Sequence, residues 1–339
     1  MAPDTTAELK REDFISDQDV RWCPGCGDYA ILATVQRAMP EICKELGVKK
    51  ENVVFISGIG CASRFPYYMN NYGFHTIHGR APAIATGASV ANPDLMIWVV
   101  TGDGDSLSIG GNHTLHALRR NANLKILMFN NNIYGLTKGQ YSPTSPEGLV
   151  TKSSPQGNID HPVNPIAFAL GCDAAFVMRS IDRDAVHLAD SLKTAARHPG
   201  AVYMEILQNC LVFNDGCFDF VMEKDQKKVY ALYLKPGQPM VFGPGDQFAL
   251  VWQEGRLVKV EKKDVPAESI VRNDPKNKTQ AFALSQLWYP DCVPVGLFYQ
   301  AERRIYEQEV LRLEKEAEAK GAPDLGKLFR TGLTWEVKK

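Results

Sequence analysis

The apolar residues of this chain follow two rhythms that alternate along its length. Short, mostly apolar runs, each closed by turn-forming residues, lie at 52–57, 95–101, 124–130, 174–179 and 201–207. Runs of this length without polar alternation predict strands buried on both faces. Between them the apolar spacing becomes helical. Asp28 stands where a cap would open a helix reaching about Met39, with Pro40 after it. Segments 111–120 and 182–197 predict two further helices, the second opening on Asp182 as its cap. Strands alternating with helices predict an α/β fold, a mainly parallel sheet flanked by helices.

Beyond Phe220 the pattern changes. Residues 221–280 are rich in lysine and in turn signals such as Lys235-Pro236-Gly237 and Gly243-Pro244-Gly245, and 301–320 predicts an exposed, charge-laced helix. The expected division is a main domain over 1–220 and a C-terminal extension over 221–339, packed on that domain or on a partner.

Composition narrows the function classes. The chain has 339 residues, 45% apolar and 23% charged, with a net charge of -1. That balance gives no general attraction to nucleic acid or to an anionic membrane. No stretch approaches the roughly twenty apolar residues that a membrane-spanning helix needs. Residues 1–19 are polar and acidic and lack the basic-then-apolar pattern of a signal peptide, so the expected location is the cytoplasm.

The central chemical observation is Thr101-Gly102-Asp103-Gly104-Asp105 after one apolar run and Asn130-Asn131-Asn132-Ile133-Tyr134-Gly135 after the next, with a helix between. A β-α-β unit brings both strand ends to one sheet edge, where open α/β sheets bind ligands. Asp103 and Asn131 are therefore expected to be neighbours. Magnesium takes hard oxygen ligands and accepts one or two carboxylates beside substrate phosphates. Asp103 offers a carboxylate, Asn131 an amide oxygen and Ile133 a backbone carbonyl. Gly102 and Gly104 permit close backbone approach, and the amides around Asp105 suit a phosphate at a helix start. The pair of motifs resembles the diphosphate half-site of thiamine-diphosphate enzymes.

Eight cysteines occur at 23, 26, 43, 61, 172, 210, 217 and 292. Disulfides are a poor account of them in a cytoplasmic chain. Cys23-Pro24-Gly25-Cys26 is open to zinc, redox or chance readings when taken alone. Together with Gly58-Ile59-Gly60-Cys61-Ala62-Ser63-Arg64, residues 75–87 and residues 133–140, it resembles the β subunits of 2-oxoacid:ferredoxin oxidoreductases over about residues 21–220.

That resemblance implies a thiamine-diphosphate-binding fold with Mg²⁺ and one [4Fe–4S] cluster held by Cys23, Cys26, Cys61 and a late fourth cysteine. Cys210 fits that place, in Gln208-Asn209-Cys210-Leu211-Val212-Phe213-Asn214, although Asn209 stands where the family often has proline. Cys217 is left as a bystander, and Cys43, Cys172 and Cys292 as buried free thiols. By position in the family, Ile59, Gly60, Cys61, Ala62, His78, Gly135 and Leu136 line the thiamine, with His78 and Leu136 also taking catalytic-site roles. Arg64 would grip a substrate carboxylate through paired hydrogen bonds. The Arg64-Phe65-Pro66-Tyr67-Tyr68 stretch resembles the 2-oxoglutarate branch, with pyruvate or indolepyruvate enzymes, or a thiamine-dependent decarboxylase without a redox cluster, as alternatives. The family implies coenzyme A as co-substrate and ferredoxin as electron partner. It also implies an α subunit that supplies the glutamate of the other thiamine half-site, for which this sequence shows no motif.

Overall fold

A computed structural model describes residues 8–338. Its strands are β1 (Val53–Ser57), β2 (Tyr72–His75), β3 (Met96–Gly102), β4 (Leu124–Asn130), β5 (Phe176–Ile181), β6 (Val202–Leu207), β7 (Ala231–Leu234), β8 (Val241–Phe242), β9 (Phe248–Gln253), β10 (Arg256–Glu261) and β11 (Val293–Gln300). Eight of them form one sheet in the order β2-β1-β3-β4-β6-β5-β11-β7. All pairings in it are parallel except β11 with β5. The five predicted runs are β1, β3, β4, β5 and β6, and every residue of these five except Gly102 is buried. Burial on both faces is why they carry no polar alternation.

The main helices are α1 (Asp28–Leu46), α2 (Ala81–Ala91), α3 (Gly111–Arg120), α4 (Pro165–Gly171) and α5 (Ala185–Arg197). One apolar core lies between the sheet and α2, α3 and α4, and a second between the sheet and α1 and α5. Two expected boundaries are corrected. Pro40 lies inside α1, which runs on to Leu46 and ends at Gly47 in the left-handed conformation. Proline removes one helical hydrogen bond, but the turn beyond it buries Ile42 and Cys43 in the second core. The cap of α5 is Asp184, whose side chain accepts from the His187 amide, and not Asp182. Asp182 is buried, accepting from the Asn209 amide at 2.9 Å.

The extension is also less separate than its composition suggests. β7 and β11 belong to the main sheet, so a boundary at residue 220 does not divide the chain into independent bodies. Among the described residues, β10-β9-β8 form the one other sheet. The predicted terminal helix is Tyr306–Glu318. Its one buried residue, Glu307, accepts from the Asn123 amide at 2.9 Å and from the Ser89 hydroxyl.

Candidate functional site

β1, β3, β4 and β6 are consecutive in the sheet and parallel, so their C-terminal ends share one rim. Each end is followed by one of the singled-out motifs: Gly58–Arg64 after β1, Asp103–Asp105 after β3, Asn131–Leu136 after β4 and Gln208–Cys210 after β6. Gly102 pairs with Phe129 in register, which sets Asp103 and Asn131 at neighbouring strand ends.

Asp103 is 2% exposed. Its Oδ2 accepts from the Ser142 and Thr144 hydroxyls, both at 2.6 Å. Oδ1 has no side-chain partner among the described residues, and the Gly104 and Asp103 backbone amides also hydrogen-bond this carboxylate. Burial pushes the Asp103 carboxyl up to about 6, against the pull of those hydroxyls. A buried carboxylate of this kind suits a bound cation, which would replace its lost hydration. Asn131 donates from Nδ2 to Gln208 Oε1 at 2.8 Å and accepts at Oδ1 from the Ile133 amide at 3.2 Å. A Cβ on Gly102 would meet only the Phe129 carbonyl, at 4.0 Å, so space there is open to a ligand. Gly104 is required for another reason: a Cβ would fall 2.1 Å from the Tyr134 ring.

Asp105 turns its carboxylate inward. Oδ1 accepts from the amides of Ile59 at 3.1 Å and Gly79 at 2.7 Å and lies 2.5 Å from His78 Nδ1, while Oδ2 accepts from Thr101 at 2.7 Å. It thereby ties the loops after β1 and β2 to the end of β3. A Cβ on Gly58 would strike this carboxylate at 2.0 Å, and Gly60 has a φ of 145°, so the Gly-Ile-Gly turn needs both glycines. With Nδ1 fixed as the donor to Asp105, His78 presents Nε2 outward, from a side chain 37% exposed.

Four of the eight cysteines lie on one cleft. A cleft of about 170 Å³ is lined by Cys23, Cys26, Cys61 and Cys210 together with Arg64, Asn131, Gly135 and Leu136. The backbone assembles it: the Gly27 amide donates to the Asn209 carbonyl at 3.1 Å, and Trp22 Nε1 donates to the Cys61 carbonyl at 2.7 Å. A Cβ on Gly135 would lie 3.5 Å from the Cys210 sulfur and 3.6 Å from that of Cys61. Burial pushes the Cys61 thiol up to about 12, with Asp28, Cys210 and Cys23 adding repulsion and Arg64 opposing it. Burial likewise raises Cys26 and Cys210. Thiols raised in this way are poor nucleophiles, but a metal displaces their protons. No three His, Cys, Asp or Glu side chains among the described residues surround a single point as one zinc ion requires. A cubane binds each thiolate to a different iron, so it asks for a ring of thiols around a volume instead.

Arg64 donates from Nη1 to the Arg21 carbonyl at 3.2 Å and lines the same cleft. Leu136 is 42% exposed beside it. Cys217 donates to the Asn131 carbonyl at 3.8 Å, between the cleft and the Asp103 site. Cys43, Cys172 and Cys292 are buried elsewhere. Sequence reasoning missed Ser142, Thr144, Asp28 and Gln208, all of which touch the site. Asp28 directly follows the Cys-Gly pair and Gln208 directly precedes Asn209-Cys210, which was the available signal.

Residues 58–206 match the family model described as thiamine pyrophosphate enzyme, C-terminal TPP binding domain. The chain is 50% identical to the 2-oxoglutarate oxidoreductase subunit KorB of Mycobacterium tuberculosis, over 99% of this chain and 90% of that one. It is 35% identical to 2-oxoacid:ferredoxin oxidoreductase 2, subunit beta, of Aeropyrum pernix, over 89% and 86%. Among solved structures it resembles the 2-oxoglutarate:ferredoxin oxidoreductase from Magnetococcus marinus with 2-oxoglutarate, coenzyme A and succinyl-CoA bound, with a TM-score of 0.76, 32% identity, and 96% and 97% of the two chains covered.

Proposed function

The chain belongs to the β subunits of the 2-oxoacid:ferredoxin oxidoreductases, and from that membership we propose that it is the catalytic β subunit of a 2-oxoglutarate:ferredoxin oxidoreductase. The reaction is the reversible conversion of 2-oxoglutarate and coenzyme A to succinyl-CoA and carbon dioxide, with two electrons passing singly to ferredoxin. One observation carries this reading. A sulfur-lined cleft, which includes the half-buried Asn131, and the buried Asp103 share one rim of four adjacent parallel strands, Asp103 and Asn131 following neighbouring strand ends.

Thiamine diphosphate, when bound, supplies the electron sink that loss of carbon dioxide requires. Asp103 Oδ1, Asn131 Oδ1 and the Ile133 carbonyl would hold its Mg²⁺, and the open space over Gly102 admits the diphosphate. Cys23, Cys26, Cys61 and Cys210 would hold a [4Fe–4S] cluster beside it. Ile59, Gly60, Cys61, Ala62, His78, Gly135 and Leu136 would line the thiamine, Leu136 offering it an apolar surface. His78, its Nδ1 held by Asp105, would be the group that exchanges a proton with substrate. Arg64 keeps its remaining N–H groups for the distal carboxylate of 2-oxoglutarate. The α subunit completes the thiamine site with the glutamate of the other half-site.

The test is anaerobic purification with the α subunit, followed by a panel of 2-oxoacids with ferredoxin or viologen as acceptor. The 2-oxoglutarate rate should lead, and iron should accompany the protein. Faster turnover of pyruvate or indolepyruvate would reassign the substrate, and an iron-free, active decarboxylase would overturn the redox assignment. The Arg64→Ala variant should raise KM for 2-oxoglutarate by roughly 10- to 100-fold, the loss of a charge-assisted pair, while keeping its iron. The β subunit alone should show no 2-oxoacid-dependent reduction of ferredoxin.

A further inference from the structure

Gln208 is 1% exposed, and its side-chain amide reaches both halves of the site. Oε1 accepts from Asn131 Nδ2 at 2.8 Å. Nε2 donates to the Cys26 sulfur at 3.3 Å and to the Asn209 carbonyl at 2.7 Å. The backbone beneath it is fixed as well, because the Gln208 amide donates to the Asn130 carbonyl at 2.8 Å.

These contacts dictate orientation one after another. A backbone carbonyl only accepts, so the Asn209 carbonyl forces the nitrogen of Gln208 to its side. The oxygen of Gln208 must then face Asn131, and Asn131 must answer with its own nitrogen. That leaves Asn131 Oδ1 turned toward its other partner, the Ile133 amide, and toward the cation position. The second hydrogen on Gln208 Nε2 meets the Cys26 sulfur. One carbonyl thus sets the aim of two amides, and one amide serves two sites.

We propose that Gln208 is a positioning residue shared by both sites, presenting the Asn131 oxygen to Mg²⁺ while its N–H bond to Cys26 raises the reduction potential of the iron–sulfur cluster. This rests on the proposed function, in which the two sites hold those groups. Outer partners of this kind typically set metal affinity by 10- to 100-fold. Hydrogen bonds to cluster sulfurs favour the more negative, reduced state and so raise its potential.

The two roles separate by substitution in the αβ enzyme. Gln208→Met keeps the length but offers neither bond. Gln208→Glu still accepts from Asn131 but cannot donate to sulfur. The measurements are iron content, the midpoint potential of the cluster by redox titration, and the Mg²⁺ concentration that half-saturates thiamine-diphosphate binding by calorimetry. In Gln208→Met the potential should fall and half-saturation should rise roughly tenfold or more. In Gln208→Glu the potential should fall while half-saturation stays near that of the wild type. In Gln208→Met a merely structural glutamine would lower thermal stability and move neither quantity. Should Gln208→Met fail to hold iron, Gln208→Glu carries the potential test and an unchanged potential there overturns the proposal. Unchanged potential and Mg²⁺ dependence in an iron-bearing Gln208→Met variant also overturn it. A wild-type enzyme without iron, or without Mg²⁺-dependent binding, would instead overturn the functional reading beneath it.

Discussion

Asp28 is 2% exposed, and the charge nearest in influence is a second buried carboxylate, Asp182. Burial first, and Asp182 second, push the Asp28 carboxyl up to about 7. Asp182 Oδ1 has no partner among the described residues, so this pair is poorly compensated. The sign of its linkage follows. A carboxyl whose folded pKa is raised binds a proton in the folded chain that the unfolded chain has released, between about 4 and 7. Its stabilising contribution is full below that window and is lost as pH rises through it. In the cluster-free chain, Asp28→Asn should therefore gain on the wild type from pH 5 to pH 8, by at most about 1.4 kcal/mol per pH unit. Denaturant titrations at several pH values check this, and parallel pH profiles would refute it. Gly135 gives a second test at this scale. The methyl of Gly135→Ala would enter the space between the Cys61 and Cys210 sulfurs. With the proposed cluster in that cleft, the variant should fold but lose most of its iron, which elemental analysis reads directly.

Among the elements, β5 and β6 hold a buried ion pair at their centre. Arg179 Nε and Glu205 Oε2 are 2.7 Å apart, with side chains 2% and 1% exposed. The guanidinium also donates to the Pro294 carbonyl at 3.2 Å and faces the Trp288 ring at 4.9 Å. Glu205 accepts from Asn130 Nδ2 at 2.7 Å, just before Asn131 in β4. Removing one partner leaves a buried charge unpaired, so Glu205→Ala should cost about 3–5 kcal/mol. Replacing both with apolar side chains, as in Arg179→Met with Glu205→Met, should cost much less. Chemical denaturation of the two variants distinguishes a pair held together from a pair that stabilises the sheet. The helix Tyr306–Glu318 is held differently: its buried carboxylate, Glu307, binds Ser89 and Asn123, and Tyr306 packs against the first core.

For the whole molecule, the C-terminal segment is set apart by what it leaves in solvent. Every described residue from Arg312 onward is exposed, including Leu328, Phe329, Leu333 and Trp335. Because these side chains bury nothing in the folded chain, deleting residues 322–339 should leave thermal unfolding within about 1 °C of the full chain, since surface residues without such contacts contribute little. A drop of several degrees would mean that the segment packs on the body after all. The eight-stranded sheet, by contrast, depends on residues far past the recognisable motifs, because β11 and β7 close one of its sides.

The residues themselves determined the five central strands, the order of helix and strand, and the motifs that end them, because burial on both faces writes a largely apolar run, without polar alternation, that local reading can detect. The cysteine and Gly-Asp-Gly motifs were legible for a similar reason: their chemistry depends on residue type and short spacing. The tertiary structure alone decided what depends on distant partners. β2 is an exposed edge strand and β11 carries a proline and a glycine, so neither writes a buried run. The helix through Pro40 persists because of what packs on its far end. Ser142, Thr144 and Gln208 reach the site only because loops separated in sequence meet at one rim of a parallel sheet, a consequence of strand order that no local pattern contains.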